Sequence, residues 1–296
     1  MKTFISFADK RFKDVLLRIQ KQAQNIHFFD EVEIYTEESL DADFRFKYKK
    51  QLTPKVRGFG YWCWKSYIIK KKLENLPEGS HLYYIDAGCH INPNGIKRLQ
   101  EYDKLLEKAP NGILAFYTEH PERQYTKGDV FEYFGIKKCD DIVNSNQIIG
   151  GIVLIRKCKE SVNLIDEWVD AWQKDFTLID DSPSQSANFS DFIEHRHDQS
   201  LFSCLCKLKG ISLISAKEIE PPVGAIRNIE AWQKLKDFPI LAMRDRYVTK
   251  SYMRKLKKYR LLMSLPLGFI SKRYKKKLEK AYNTNPGLMD PPPYLR

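Results

Sequence analysis

Residues 81–92 read His-Leu-Tyr-Tyr-Ile-Asp-Ala-Gly-Cys-His-Ile-Asn, and the fold turns on how they are read. His81 to Ile85 has the mostly apolar make-up of a buried strand, and it runs directly into Asp86, Ala87 and Gly88. In open α/β sheets, ligands bind beyond the carboxyl ends of the strands, so residues that follow a strand at once carry a functional expectation. An acid there can hold a metal ion or a ribose hydroxyl, and the small residues let a bulky ligand approach the backbone. A turn aspartate bonded to its own loop would leave the same pattern.

Outward from this stretch, strands and helices alternate. Lys2 to Ala8 reads as a buried first strand, and Lys10 to Asn25 carries a helical stripe of Phe12, Val15, Leu16, Ile19 and Ala23. A second strand is expected around Val32 to Tyr35. An aromatic-rich helix is expected from Tyr61 to Leu76, closed by Pro77 and Gly79. A helix over Ile96–Lys108, a strand over Gly112–Tyr117 and a strand over Gln147–Ile155 interrupted by Gly150-Gly151 follow. Then come a helix over Ser161–Lys174, a polar, mobile loop over Thr177–Ser190, a helix over His197–Lys209 and a short strand over Ile211–Ser215. This order indicates an α/β fold with a mostly parallel sheet covered by helices on both faces.

The 296 residues include 50 basic and 38 acidic ones, a net charge of +12. With 43% hydrophobic residues, the composition excludes a collagen, a disordered chain and a small disulfide scaffold. The charge is concentrated: residues 250–280 hold twelve basic side chains and a single acid, Glu279. A nucleic-acid enzyme would spread its basic surface over the body, so no nucleic acid partner is expected. Between Arg260 and Lys272 lie eleven mostly apolar residues, too few to cross a bilayer but enough to wedge into its surface. Each flanking lysine or arginine near anionic lipid is worth roughly 1 kcal/mol. The expectation is a domain over 1–248 and a basic, amphipathic, helical segment over 249–296 that binds an anionic membrane surface. A docked helix pair with a solvated basic face is the alternative. The first residues lack the long apolar run of a secretory signal. The six cysteines form no Cys-x-x-Cys pair and are read as reduced thiols. Both readings favour a cytoplasmic protein associated peripherally with the inner face of the cell membrane.

Four stretches resemble one family. Tyr84-Ile85-Asp86-Ala87-Gly88 is similar to the Tyr-x-Asp-Ala-Asp motif of GT-A-type nucleotide-sugar glycosyltransferases, with glycine in place of the last aspartate. Upstream, Arg57-Gly58-Phe59-Gly60-Tyr61-Trp62-Cys63-Trp64-Lys65 resembles the Gly-x-Gly-Tyr-Trp-x-Trp-Lys segment of a bacterial surface-polysaccharide group that also carries Asp-Ala-Gly. Residues 146–155, with Gly150 and Gly151, resemble the family's small-residue strand beside the acceptor. Arg196-His197-Asp198-Gln199 resembles the Asp-Gln pair that opens a late helix near the reacting sugar.

The resemblance covers roughly residues 1–220 and implies a GT-A-like, Rossmann-type sheet and hexosyl transfer in lipopolysaccharide or capsule synthesis. The donor would be a UDP- or GDP-sugar and the acceptor a glycan or lipid-linked glycan. Asp198, Gln199 and Asp86 would carry the chemistry. Arg57, Gly58, Gly60, Tyr61, Trp62, Lys65, Asp86, Ala87, Gly88, Gly150, Gly151, Arg196 and His197 would hold the donor. Arg57, Lys65, Arg196 and His197 would supply positive charge, Tyr61 or Trp62 would stack on a ring, and the two glycines of 150–151 would leave room for a sugar. A divalent ion, Mn or Mg, would have Asp86 as its ligand, but with glycine in place of the family's last aspartate the expected metal dependence is weak or absent. Two other readings stay open at this point. Ile85-Asp86-Ala87-Gly88 also resembles the first glycine-rich loop of SAM-dependent methyltransferases, and a non-enzymatic nucleotide- or lipid-binding scaffold would need no chemistry at all.

Overall fold

The computed structural model describes residues 1–226 and 228–244. The expected basic segment over 249–296 and its helices lie outside the described residues.

Six strands form one sheet: β1 (Lys2–Phe7), β2 (Glu31–Tyr35), β3 (His81–Ile85), β5 (Ile113–Pro121), β6 (Asn146–Arg156) and β7 (Ser212–Ser215). Their order is β2-β1-β3-β6-β5-β7. β1 pairs in parallel with both β2 and β3, and β5 pairs in parallel with β7. β6 lies antiparallel between β3 and β5, so five strands point one way and one points back. A small second sheet joins β4 (His90–Ile91) to β8 (Ile240–Leu241).

Five long helices cover the main sheet: α1 (Lys13–Asn25), α2 (Cys63–Asn75), α3 (Ile96–Glu107), α4 (Lys159–Lys174) and α5 (Asp198–Lys209). Alternate strand residues serve the two layers. Ile5, Leu82, Tyr84, Val153 and Ile155 pack with α2, α4 and α5, while Phe4, Tyr83, Ile85, Ile152 and Leu154 pack with α1 and α3. Burial on both faces explains why these strands read as continuous apolar runs.

The chain passes from β1 to β2 on one side, then returns to lay β3 on the other. That reversal opens a crevice at the carboxyl ends of β1 and β3, where ligands of such sheets bind. Two local expectations change. The aromatic helix starts at Cys63 rather than Tyr61, because residues 58–62 wind the other way. The Thr177–Ser190 loop, expected to be mobile, is tied down. The Lys127 ammonium donates to the Thr177 carbonyl, and the Asp129 carboxylate accepts from the backbone N–H groups of Gln185 (3.1 Å) and Ser186 (2.7 Å). A Cβ on Gly128 would lie 2.7 Å from the Ser186 carbonyl, so the loop seats directly on that glycine.

Candidate active site

A cavity of about 710 Å³ opens at the crevice. Phe7, Ala8 and Asp9 after β1 and Asp86 to Cys89 after β3 line it, together with Pro54 to Phe59 and Arg196 to Gln199.

The floor is built by three elements. Asp86 caps β3; its N–H donates to the Gly151 carbonyl at 2.8 Å, and its Oδ1 accepts from the Tyr84 hydroxyl. Lys65 stands in the first turn of α2. Trp64 beside it stacks on Phe7 with centroids 3.8 Å apart and donates from Nε1 to the Gly58 carbonyl at 3.0 Å, which fixes the helix start against β1. Asp198 opens α5. The Lys65 ammonium lies 2.7 Å from Asp198 Oδ2 and 3.7 Å from Asp86 Oδ1. The shorter contact is an ion pair without hydrogen-bond alignment, since Oδ2 of Asp198 has no hydrogen-bond partner.

Charge follows from this geometry. Burial raises the Asp198 carboxyl to about 6, with Lys65 pulling in the opposite direction. Burial alone would lower the Lys65 ammonium, but Asp198 and Asp86 outweigh it and the net shift is upward. Lys65 therefore stays charged between the two carboxylates.

The glycines of 150–151 have a different task from the one expected. A Cβ on Gly151 would lie 2.6 Å from Asp86 Oδ2, and one on Gly150 would lie 3.2 Å from the Gln199 Cα. The space they leave is filled by the protein's own Asp86 carboxylate and by the start of α5. Gln199 is likewise bound to β6: its Oε1 accepts from the Gly150 N–H at 3.2 Å, and its Nε2 donates to Gln147 Oε1 at 2.7 Å.

The wall contains two strained pieces. Gly58, Phe59, Gly60, Tyr61 and Trp62 all have positive φ, at 60°, 55°, 98°, 52° and 60°. A left-handed turn costs on the order of 1–2 kcal/mol per non-glycine residue. Gly58 is required here, because a Cβ would lie 2.3 Å from the Trp62 ring. The second piece is His197, at φ 54° and ψ −127°. The two meet: the Trp62 and His197 rings stack with centroids 5.4 Å apart, and Tyr61 approaches the same imidazole edge-on at 5.2 Å.

Burial, helped by His195 and Arg57, holds the His197 imidazole at about 2. It is neutral, so it does not supply the positive charge expected of it. Its ring nitrogens make no hydrogen bond, and Nε2 stands 3.4 Å from Asp181 Oδ1. Arg57 lies 4.0 Å from Asp181 and 3.9 Å from Glu194, while Arg196 pairs with Glu194 at 2.7 Å and covers the Tyr125 ring.

The cavity thus gathers Arg57, Gly58, Trp62, Lys65, Asp86, Ala87, Gly88, Gly151, Arg196, His197, Asp198 and Gln199. Gly60, Tyr61 and Gly150 stand behind its wall; Tyr61 packs against Phe176 and His197 rather than facing the cavity. Sequence reasoning missed Asp9 and Arg11, although they follow β1 as Asp86 follows β3. Asp9 accepts from the Arg11 N–H at 2.9 Å and takes its guanidinium at 2.8 and 2.6 Å, and Arg11 reaches the Pro54 carbonyl at 2.6 Å. That chain of contacts fastens the 54–58 loop to the end of β1. Arg244, carried in by the strand β8, and Thr118 and His120 of β5 complete the far side.

The expected metal role of Asp86 does not fit this donor set. Oδ1 is taken by Tyr84 and faces Lys65, Oδ2 fills the hollow at Gly151, and position 88 offers no side chain. Among the described residues, no three His, Cys, Asp or Glu side chains gather around a common point.

No protein-family model and no curated protein matches the chain. Solved structures similar to it include a glycosyltransferase involved in the glycosylation of the major capsid of PBCV-1, 13% identical over 82% of this chain and 93% of that one, with a TM-score of 0.44. Galactosyltransferase LgtC in complex with donor and acceptor sugar analogs is 14% identical over 85% and 81%, with a TM-score of 0.41. Mouse xyloside xylosyltransferase 1 in its apo form is 10% identical over 82% and 97%, with a TM-score of 0.43. Likenesses this distant carry neither fold nor function, which rest on the chain's own residues.

Proposed function

We propose that the chain is a glycosyltransferase that moves a sugar from a nucleoside-diphosphate donor, a UDP- or GDP-sugar, to a glycan or lipid-linked acceptor of a surface polysaccharide. One observation carries the reading. Two carboxylates from different elements, Asp86 after β3 and Asp198 opening α5, converge on one ammonium in a cavity at the sheet's reversal point. Carboxylates suit sugar hydroxyls, and arginines such as Arg57 and Arg196 suit a diphosphate.

In the proposed reaction the bond between the sugar C1 and the diphosphate oxygen breaks. A new bond forms from C1 to the acceptor oxygen, and the acceptor's hydroxyl proton passes to a base. Asp198 is assigned to the sugar hydroxyls or to that proton, and Asp86 to the donor. Asp86 keeps a side-chain exposure of 37% and is open to the cavity, whereas Asp198, at 6%, acts from the floor.

Calorimetric titration of UDP, GDP, CMP and S-adenosylmethionine tests the reading. Binding of UDP or GDP supports it. Binding of S-adenosylmethionine alone would favour the methyltransferase, and binding of none would favour the scaffold.

We extend the proposal to location. The basic, apolar sequence of 249–296 suits a protein held at the inner face of a membrane, where lipid-linked acceptors reside. No helix of the described residues is long and apolar enough to cross a membrane. Deleting 249–296 is expected to release the protein from anionic vesicles, and undiminished binding would remove the anchor from the proposal.

A further inference from the structure

Resting on the glycosyltransferase reading, we propose that the Lys65 ammonium takes the place a divalent cation would hold between Asp86 and Asp198, so that the chain binds and uses its donor without a metal ion. The disagreement between the donor set and a metal is the starting observation. A hard divalent cation such as Mg²⁺ takes its oxygens at about 2.0–2.1 Å from one or two carboxylates, waters and substrate phosphates, and those carboxylates must be able to turn toward it. Here both carboxylates already face a cation. Asp198 Oδ2 stands 2.7 Å from the ammonium, and Asp86 Oδ1 accepts from the Tyr84 hydroxyl and stands 3.7 Å from the same ammonium. A divalent ion placed between the two carboxylates would have to share them with a fixed positive charge.

The ammonium is fixed by its surroundings. Its side chain is 4% exposed, it starts from the first turn of α2, and the nitrogen also sits 5.7 Å over the Tyr84 ring. A lysine this buried does not swing out to make way for a metal without leaving two carboxylates uncompensated, the costly outcome for a buried charge cluster.

The diphosphate then needs its cations elsewhere, and the same cavity presents them. Lys55 and Arg57 rise from one loop at its edge. Arg57 is half-exposed, and its contacts with Asp181 and Glu194, at 4.0 and 3.9 Å, are longer than hydrogen bonds. A guanidinium held that loosely is available to a phosphate, for which its planar fork is suited. Lys65 is thus a positioning residue that sets the two carboxylates, while Lys55 and Arg57 meet the leaving group.

The test uses the full chain, with UDP and GDP as probes of binding, UDP-glucose and GDP-mannose as probes of donor turnover, and Mn²⁺ itself as the metal probe. The expected result is nucleotide affinity and donor turnover that agree within about twofold in EDTA and in Mn²⁺, with no Mn²⁺ retained by the protein in water-proton relaxation. Affinity or turnover that rises about tenfold or more with Mn²⁺ or Mg²⁺, equivalent to ~1.4 kcal/mol, overturns the proposal and leaves the glycosyltransferase reading standing. Absence of nucleotide binding in every condition sinks that reading and this inference with it. Lys65→Met frees both carboxylates and is expected to lose ~10²-fold in metal-free turnover, to acquire measurable Mn²⁺ binding and to be partly rescued by the ion. Lys65→Arg keeps a positive charge between the carboxylates and is expected to lose less metal-free turnover than Lys65→Met and to acquire no Mn²⁺ binding. A Lys65→Met chain that folds but neither binds Mn²⁺ nor loses turnover would also overturn the proposal, and the wild-type comparison decides the matter even if the variant fails to fold.

Discussion

Helix α5 touches two buried ion pairs, and they behave as opposites. Near its carboxyl end, Lys207 meets Glu122, which is fully buried and accepts as well from Thr126, Gln147 at 3.1 Å and Ser203 at 2.5 Å. Both oxygens of that carboxylate are provided for. At the amino end, Asp198 meets Lys65 with an oxygen that finds no aligned donor, next to a histidine in strained backbone with two unpartnered ring nitrogens. Both pairs are shielded from water, and the second borders the cavity described above. The difference teaches where to look for each role: a buried charge with every oxygen satisfied serves architecture, and the less fully satisfied one beside the cavity is the one the proposal gives to a ligand.

Removing one acid from each region is expected to separate the two roles, with the larger free-energy change in the first. Glu122→Ala leaves Lys207 and a set of donors uncompensated in the interior and is expected to cost about 3–5 kcal/mol of stability, read from urea unfolding. Asp86→Ala is expected to leave the urea midpoint nearly unchanged and to lower donor turnover by about 10²–10³-fold, or ~2.7–4 kcal/mol of transition-state stabilisation. The contrast breaks if Asp86→Ala unfolds the chain or leaves turnover intact, or if Glu122→Ala is as stable as the parent.

How much of this was legible without coordinates depends on the range of the interaction. β3 and the acid that ends it are written in a run of six residues, and helix α5 in twelve, so local pattern suffices for both. The mostly parallel sheet follows from the alternation of elements, although the single reversed strand, β6, does not, because a buried strand looks the same in either direction. Nothing local tells that Lys65 joins Asp86 to Asp198, since that contact spans three elements far apart in sequence. Gly151 was read as an opening for a ligand, yet it is an opening for Asp86, and only the register of β3 against β6 reveals it. The same holds for the loop over 177–190: its polar composition reads as freedom, while its carbonyls and N–H groups are consumed by Lys127 and Asp129. Left-handed backbone at Phe59, Tyr61 and Trp62 runs against the preference of those residues and could not be expected from them.

The pH dependence sharpens the comparison at the cavity end. Asp198 titrates at about 6 in the folded chain because burial disfavours its charge more than Lys65 favours it. In the unfolded chain an aspartate titrates near ~4, so folding takes up a proton between those values. The group's contribution to stability is therefore fully present below about pH 4 and is lost as the pH rises through about 6. Turnover is expected to run the other way, because the proposed roles need the ionised carboxylate: the initial rate should fall about tenfold per pH unit below 6. Rates and urea midpoints measured across that window are expected to slope in opposite senses. A turnover profile that is flat through pH 6 would remove Asp198 from the chemistry.

The smallest expected effect tests whether the glycine pair divides its labour as the geometry says. At Gly151 an added methyl group meets the Asp86 carboxylate 2.6 Å away, a side-chain end that can turn aside. Gly151→Ala is therefore expected to move Asp86 off its hydrogen bond to Tyr84 and away from Lys65 and to lower turnover by about tenfold, or ~1.4 kcal/mol, with little change in the unfolding midpoint. At Gly150 the neighbour is the Gln199 backbone at 3.2 Å, which belongs to a helix and yields only if α5 shifts. Gly150→Ala is expected to show the reverse, a loss of about 1 kcal/mol in stability with a lesser loss of turnover, as overpacking against main chain does. Two adjacent methyl groups with opposite signatures would place the boundary between scaffold and site inside strand β6, between residues 150 and 151. Matching losses in both variants would erase that boundary and make the glycine pair a packing feature of the strand alone.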